Sequence, residues 1–159
     1  MPTTTCHHLL LFALLIFVLH LGASMKPATR SDPNGEVHGL LPAFGLPKGL
    51  LPDNVVRYSV SDDGKFKVKL SEPCYAQFSE LVSFDKTIEG KITCGAVSDL
   101  SGIKVKKFFV LWFPIVRVDA GNGDGTILFD TGTFSETHPA SEFQDIRPCK
   151  SMDAAAADE

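Results

Sequence analysis

Apolar and polar residues trade places with a period of two through most of this chain, the spacing of strands with one buried face and one wet face. Val56, Tyr58 and Val60 alternate, Asp62-Asp63-Gly64 supplies a hairpin turn, and Phe66, Val68 and Leu70 follow, interleaved with Lys65, Lys67 and Lys69. The same reasoning predicts strands over residues 74–78, 81–84, 87–94 and 103–105. A last long hairpin is predicted from residues 108–118 and 126–130, about the turn Gly121-Asn122-Gly123-Asp124-Gly125. Short strands joined by tight turns predict a mainly β fold, an antiparallel sandwich or barrel-like sheet. One short N-terminal helix is expected over residues 36–44, with Val37, Leu40, Leu41 and Phe44 on one face. Ser31 or Asp32 would cap it, and Pro42 would limit it to about two turns. The proline- and glycine-rich residues 45–52 allow no regular structure, yet their leucines are apolar enough to be buried.

One segment breaks the alternation. Phe108, Phe109, Val110, Leu111, Trp112 and Phe113 are six apolar residues in a row, which puts large side chains on both faces of a strand. They read either as a central strand buried on both sides or as a strand lining an apolar cavity or groove. In the second case Phe108, Val110 and Trp112, with Leu50 and Leu51, would meet a lipid or amphipathic small molecule. Pro114 then marks a strand edge or bulge.

The N-terminus carries different information. Residues 9–19 form an unbroken apolar run of eleven, too short for a bilayer-spanning anchor, which needs roughly 20 residues. That is the length of a signal-peptide core, and Gly22 and Ser24 favour cleavage before Met25. The expected organisation is a signal peptide over residues 1–24, a flexible leader over 25–34, and a β-rich domain over 35–150. A disordered acidic and alanine tail over 151–159 would follow, because four alanines cannot overcome helix nucleation. The formal charge of −4, three units of it in that tail, argues against a nucleic-acid partner.

Cysteine usage fits export. Cys6 leaves with the signal, so Cys74, Cys94 and Cys149 remain. Cys94 is in phase with Ile88 and Ile92 and is expected to be a small buried hydrophobe with a leftover thiol. Cys74 and Cys149 are then the expected disulfide, and closing so long a loop contributes ~4 kcal/mol.

Several residues could carry chemistry. Ser135 lies three residues before His138, a conceivable nucleophile and base, although no Gly-x-Ser-x-Gly elbow accompanies them. Ile127-Leu128-Phe129-Asp130-Thr131-Gly132 matches half of an aspartic-protease site, which needs two such carboxylates sharing a proton. The glycine-rich turn at 121–125 lacks carboxylates where the first and last calcium ligands would fall, on Ala120 and Thr131. Two histidines after the signal and no paired cysteine spacing support no zinc site, and no metal or cofactor is expected. Lys65, Lys67, Lys69, Lys104, Lys106 and Lys107 read as solvated strand faces. Were their strands neighbours, they would form a basic patch able to meet an anionic headgroup or a pectin-like polymer.

The stretch GLPKGLLPDNV at 45–55 resembles the signature of a family of small plant proteins, the domain of unknown function 538 family. Further matching motifs are DDGKFKVKL (62–70), PCYAQF (73–78), LSGIKVKKFFVLWFPIVRV (100–118), ILFDTGTFSETHPASEF (127–143) and Pro148-Cys149. The resemblance implies a secreted or vacuolar plant protein with a compact, strand-rich fold. It also implies a remote likeness to the lipid-binding domain of bactericidal/permeability-increasing proteins, and an esterase-like activity. Cys74 and Cys149 have counterparts in the family, while Cys94 and Asp130-Thr131-Gly132 depart from its usual pattern. Three expectations result: a secreted module binding a lipid-like ligand, a weak esterase-type hydrolase using Ser135 and His138, or a structural or stress-related cell-wall protein.

Overall fold

The computed structural model describes residues 33–121 and 123–157. The signal peptide, its cleavage point and most of the leader lie outside those residues. The chain opens with helix α1 (Pro33–Ala43). It begins earlier than expected, because Pro33 suits the first helical turn, where no N–H partner is required. Val37 and Leu41 are buried, and Phe44 packs against the same core.

Among the described residues nine strands follow: β1 (Val55–Val60), β2 (Lys65–Leu70), β3 (Cys74–Gln77), β4 (Leu81–Thr93), β5 (Ala96–Lys107), β6 (Leu111–Pro114), β7 (Arg117–Asp119), β8 (Thr126–Asp130) and β9 (Ser135–Pro139). They form one antiparallel sheet in the order β1-β2-β4-β5-β7-β8-β9, with β3 also on β4 and β6 also on β5. The mainly β, antiparallel expectation holds. The sheet is not a closed barrel, since β1 and β9 end it without pairing to each other.

Its spine is the β4–β5 hairpin. The two strands expected at 81–84 and 87–94 are one, with the pairing register shifting between Phe84 and Glu89. That irregularity divides the hairpin: β3 and β6 flank the half near Val82 and Val105, while β2 and β7 flank the half near the turn. Inward residues of every strand except β9 join one core with α1 and Phe143. No helix among the described residues is long and apolar enough to cross a membrane.

Sequence patterning misplaced three details. In β1 a bulge between Val55 and Arg57 sends Val55 into the core and leaves Val56 exposed. Residues 45–52 include a 3₁₀ turn, Lys48–Leu50, and lie tightly against the C-terminal segment. A Cβ on Gly49 would come within 2.4 Å of the carbonyl oxygens of Phe143 and Asp145, so only glycine fits there. The loop is also clamped by buried His38: its Nδ1 faces Lys48 O at 2.7 Å, and its Nε2 faces Pro52 O at 3.1 Å and Asn34 Oδ1 at 3.2 Å. Finally, the tail is ordered through Ala157: helix α2 (Met152–Ala156) is capped by Ser151, whose Oγ accepts from Ala154 N–H, and Ala155 is fully buried. Contact with β3 supplies what an isolated alanine run lacks.

The Cys74–Cys149 disulfide is present. Cys94 is neither buried nor a leftover thiol: β4 ends at Thr93, Cys94 sits exposed in the turn, and none of the described cysteines is free.

Candidate functional site

The six-residue apolar run is a strand for only part of its length. β5 ends at Lys107, and Phe108, Phe109 and Val110 form the turn into β6, closed by Val110 N–H donating to Lys107 O at 3.3 Å. Phe108 is 73% exposed, Phe109 90%, Val110 73% and Leu111 50%. Two phenylalanines at that exposure alone present roughly 300 Å² of apolar surface to water. Phe108 (φ 52°) and Phe109 (φ 66°) are both left-handed, a pairing of signs that belongs to type I′ turns and favours Asn-Gly. A bulky side chain there costs roughly 1–2 kcal/mol per residue. The turn is thus both strained and exposed where neither folding nor solubility asks for it.

The next residues have a different character. Trp112 pairs with Lys106 across the hairpin, and its ring lies 5.9 Å from that of Tyr75, the two half-buried on the outer face of the sheet. Moving away from the tip, wholly apolar side chains therefore give way to aromatic groups with a polar end and then to lysine. Water–lipid boundaries favour this gradation.

Lys107 anchors the base of the turn. It is 8% exposed, and its ammonium donates to Glu80 in the β3–β4 turn and to Glu136 on β9, with the Phe134 ring 5.7 Å away. Burial alone would pull its pKa down, but the hydrogen bonds to Glu136 and Glu80 prevail and hold it above the ordinary lysine range. His138 extends the cluster. Its Nε2 lies 3.7 Å from Glu136 Oε2, and its Nδ1 lies 3.4 Å from Glu142 Oε2 and 3.3 Å from Ser79 Oγ.

This geometry bears on the hydrolase expectation. Ser135 and His138 stand three positions apart on β9, hence on opposite faces, and the hydroxyl beside His138 belongs to Ser79. A serine base needs a ring nitrogen whose lone pair is available to the hydroxyl, with any carboxylate on the other nitrogen. Here Ser79 Oγ and Glu142 Oε2 lie beside the same nitrogen, Nδ1, at 3.3 and 3.4 Å, so hydroxyl and carboxylate compete for it, while Glu136 Oε2 stands 3.7 Å from Nε2. Glu80, Glu136 and His138 can bring one ligand atom each within 4.8 Å of the others. The Lys107 ammonium already bridges the two carboxylates, so this cluster is organised around an internal cation.

The remaining expected site residues fall elsewhere. Leu50 and Leu51 line an apolar cavity beneath α1, with Tyr58, Phe66, Phe84 and Ile88 among its walls. Its volume is about 90 Å³, well below the ~300 Å³ of the smallest ligand pockets. Phe108, Val110 and Trp112 are not among its lining residues. Phe108, Phe109 and Val110, expected within a strand lining a cavity or groove, form an exposed turn between β5 and β6. Nor do the lysines make one basic patch. β4 separates β2 from β5, Lys67 pairs with Glu89 at 2.6 Å, Lys104 with Asp85 at 3.4 Å, and Lys107 is buried. Asp130 closes a turn by accepting from Gly132 N–H at 2.7 Å, and Asp124 accepts from the Thr126 N–H and hydroxyl.

Sequence reasoning missed Glu80, Ser79, Glu136 and Glu142. Each is an ordinary polar residue, and only the meeting of the β3–β4 turn with β9 gathers them. The signal that was available is Lys107 itself, which follows Lys106 and so breaks the alternating lysine pattern.

No curated protein matches this chain. The family described as "Protein of unknown function, DUF538" matches residues 37–144, a span holding all nine strands, the exposed turn and the Lys107 cluster, and the chain belongs to that family.

Proposed function

We propose that this protein works outside the cytosol and docks on lipid surfaces by inserting the turn of Phe108, Phe109, Val110 and Leu111. The observation that carries the reading is the exposure of four consecutive apolar side chains on a turn whose backbone is strained to present them. Such a patch is unusual on a protein that stays in water. A bilayer surface is the occupant that suits its neighbours, since Tyr75 and Trp112, aromatic groups with a polar end, would stand at interface depth. The small internal cavity favours surface docking over an enclosed lipid. The long-range Cys74–Cys149 disulfide suits an oxidising, secretory compartment.

Trp112 is the sole tryptophan, so its fluorescence reports this end of the molecule directly. Mixing the protein with phosphatidylcholine vesicles should shift its emission to the blue and carry the protein down on sedimentation. Phe109→Ser should weaken both effects roughly 5–10-fold. An unmoved emission, or sedimentation untouched by Phe109→Ser, refutes the proposal. A concentration-dependent dimer lost in Phe109→Ser, with no vesicle binding, would show that the tip joins two copies instead.

A further inference from the structure

Among the described residues β1 is one margin of the sheet, with β2 on one side of it and no strand on the other. Ser61 N–H donates to Lys65 O at 2.8 Å, and the pairs Ser59–Lys67 and Arg57–Lys69 continue in the same phase. Backbone groups alternate along an antiparallel pair, so the N–H and C=O of Tyr58 and Val60 point to the open side. Sheets commonly blunt such an edge with proline, a bulge or charge. The opposite margin, β9, ends in Pro139. In β1 the bulge lies at the Val55 end, and Arg57-Tyr58-Ser59-Val60 runs in unbroken register without proline. The edge is open to pairing.

Its side chains are sorted by face. On the outer face Arg57 stands directly opposite Lys69, and Lys65 opposite Lys91, two like-charged pairs that oppose strand pairing. Lys65 and Lys67 have Asp63 and Glu89 as ion-pair partners, at 3.3 and 2.6 Å. Arg57, Lys69 and Lys91 are exposed, and none of the three forms an ion pair among the described residues. On the other face Val60 is 40% exposed, and Tyr58 and Phe66 are half-buried; all three line the cavity beneath α1. Glu36 of α1 stands on this side too, where its Oε2 accepts from the Tyr58 hydroxyl at 3.3 Å. The open edge therefore carries cations on one face, and apolar groups with one carboxylate on the other.

We propose that β1 is the docking edge for an extended acidic segment of a partner protein, which adds to the sheet as a further strand. Tyr58 and Val60 would supply the backbone donors and acceptors. Carboxylates at alternate positions of the segment would meet Arg57 and, over the small Ser59, the Lys69 ammonium. The residues between them would be apolar, covering Val60 and Tyr58 on the face where Glu36 repels acid. Charge disfavours the other occupants. A second copy pairing antiparallel through its own β1 would gather Arg57 and Lys69 of both chains on one face. Residues 25–32 of this chain carry Lys26 and Arg30 against Asp32 alone. The proposal is independent of the lipid-docking turn, which joins β5 to β6 on the far side of β2 and β4.

The test uses the disulfide-bonded protein and fluorescent octapeptides, one alternating Glu and Val and the other alternating Lys and Val. The acidic peptide should bind and slow hydrogen exchange at the Tyr58 and Val60 amides, and the lysine peptide should not bind. Arg57→Glu should weaken the acidic peptide about tenfold. Val60→Pro removes an outward N–H without touching a bond to β2, and should weaken it by a similar factor. If the proline variant misfolds, Arg57→Glu combined with Lys69→Glu serves instead, and should bind the lysine peptide in place of the acidic one. No binding of the acidic peptide, or binding that leaves exchange at Tyr58 and Val60 unchanged, overturns the proposal. Capture of dextran sulfate in place of the peptide also overturns it, assigning the cations to an anionic polysaccharide. So does a concentration-dependent dimer lost in Val60→Pro, which would assign the edge to a second copy.

Discussion

Replacing Phe108 and Phe109 with Asn and Gly separates what the turn does for the fold from what it does for binding. Both positions are left-handed, at φ 52° and 66°, and the closing Val110–Lys107 hydrogen bond belongs to the backbone, so it survives the change. Relief of strain contributes roughly 1–2 kcal/mol at each position. The added glycine returns about 0.5–1 kcal/mol as unfolded-chain entropy. A net gain of about 2 kcal/mol in stability follows, equivalent to roughly 5–10 °C in Tm for a domain of this size. Binding moves the other way. A fully transferred Phe is worth ~1.5–3 kcal/mol, and insertion to interface depth realises about half of that. Two lost phenylalanines therefore cost about 2.5 kcal/mol, or roughly 50–100-fold in vesicle affinity. Calorimetry and vesicle sedimentation on the same preparation give both numbers. A lower Tm would refute the strain argument, and unchanged sedimentation would refute the docking argument.

Other parts of the molecule yield smaller tests. His38→Ala should cost about 2–4 kcal/mol in urea denaturation, because it empties a buried site and strands the Lys48 and Pro52 carbonyls that the ring now meets. Lys107→Met should cost about 1–2 kcal/mol, less than a fully buried pair because Glu136 is partly exposed, and the loss should shrink when Glu80→Gln is added. Lys107 has a raised pKa, so its contribution is complete below the ordinary lysine value and fades only as pH climbs through the higher folded value, which an alkaline stability profile would reveal. Asp63 should titrate by NMR at about 2, held down by the Ser61 hydroxyl and the Lys65 N–H. Its support for the β1–β2 turn is present above pH 3.8 and is lost as pH falls through about 2.

What could be read from the residues was whatever depends on local period or turn chemistry. Alternation in residues 65–70, with Gly64 at φ 83° after two aspartates, located the β1–β2 hairpin correctly. The amphipathic spacing of Val37, Leu41 and Phe44 located the helix. The Cys74–Cys149 pair was reached partly through an argument that failed, since Cys94 is exposed beyond the end of β4. Residues 108–113 were misread because a run of apolar residues carries no mark of where a strand stops. Lys107 sets that limit by reaching Glu80 and Glu136, which lie 27 and 29 positions away in the sequence. Ser135 and His138 were the avoidable error, because three positions along a strand put side chains on opposite faces whatever the fold.

The same end of the molecule collects three features that would each be costly alone: a strained apolar turn, a buried lysine held by two carboxylates, and an arginine whose Nε has no hydrogen-bond partner among the described residues. Their costs are of different kinds, in backbone conformation, desolvation and unmade hydrogen bonds, so no single packing defect explains them together. Strand pairing nevertheless links them. Lys107 precedes the turn, Glu80 ends the loop that Phe78 begins, and Phe78 carries Arg147 on its ring. At the other side of the sheet, Val60 and Val56 are also exposed, yet on an edge strand with ordinary backbone and no such neighbours. Exposure of apolar side chains is therefore not a general property of this sheet. The concentration of these costs around the β3–β4 and β5–β6 turns is what a surface shaped for a partner looks like, with apolar and interfacial groups set side by side.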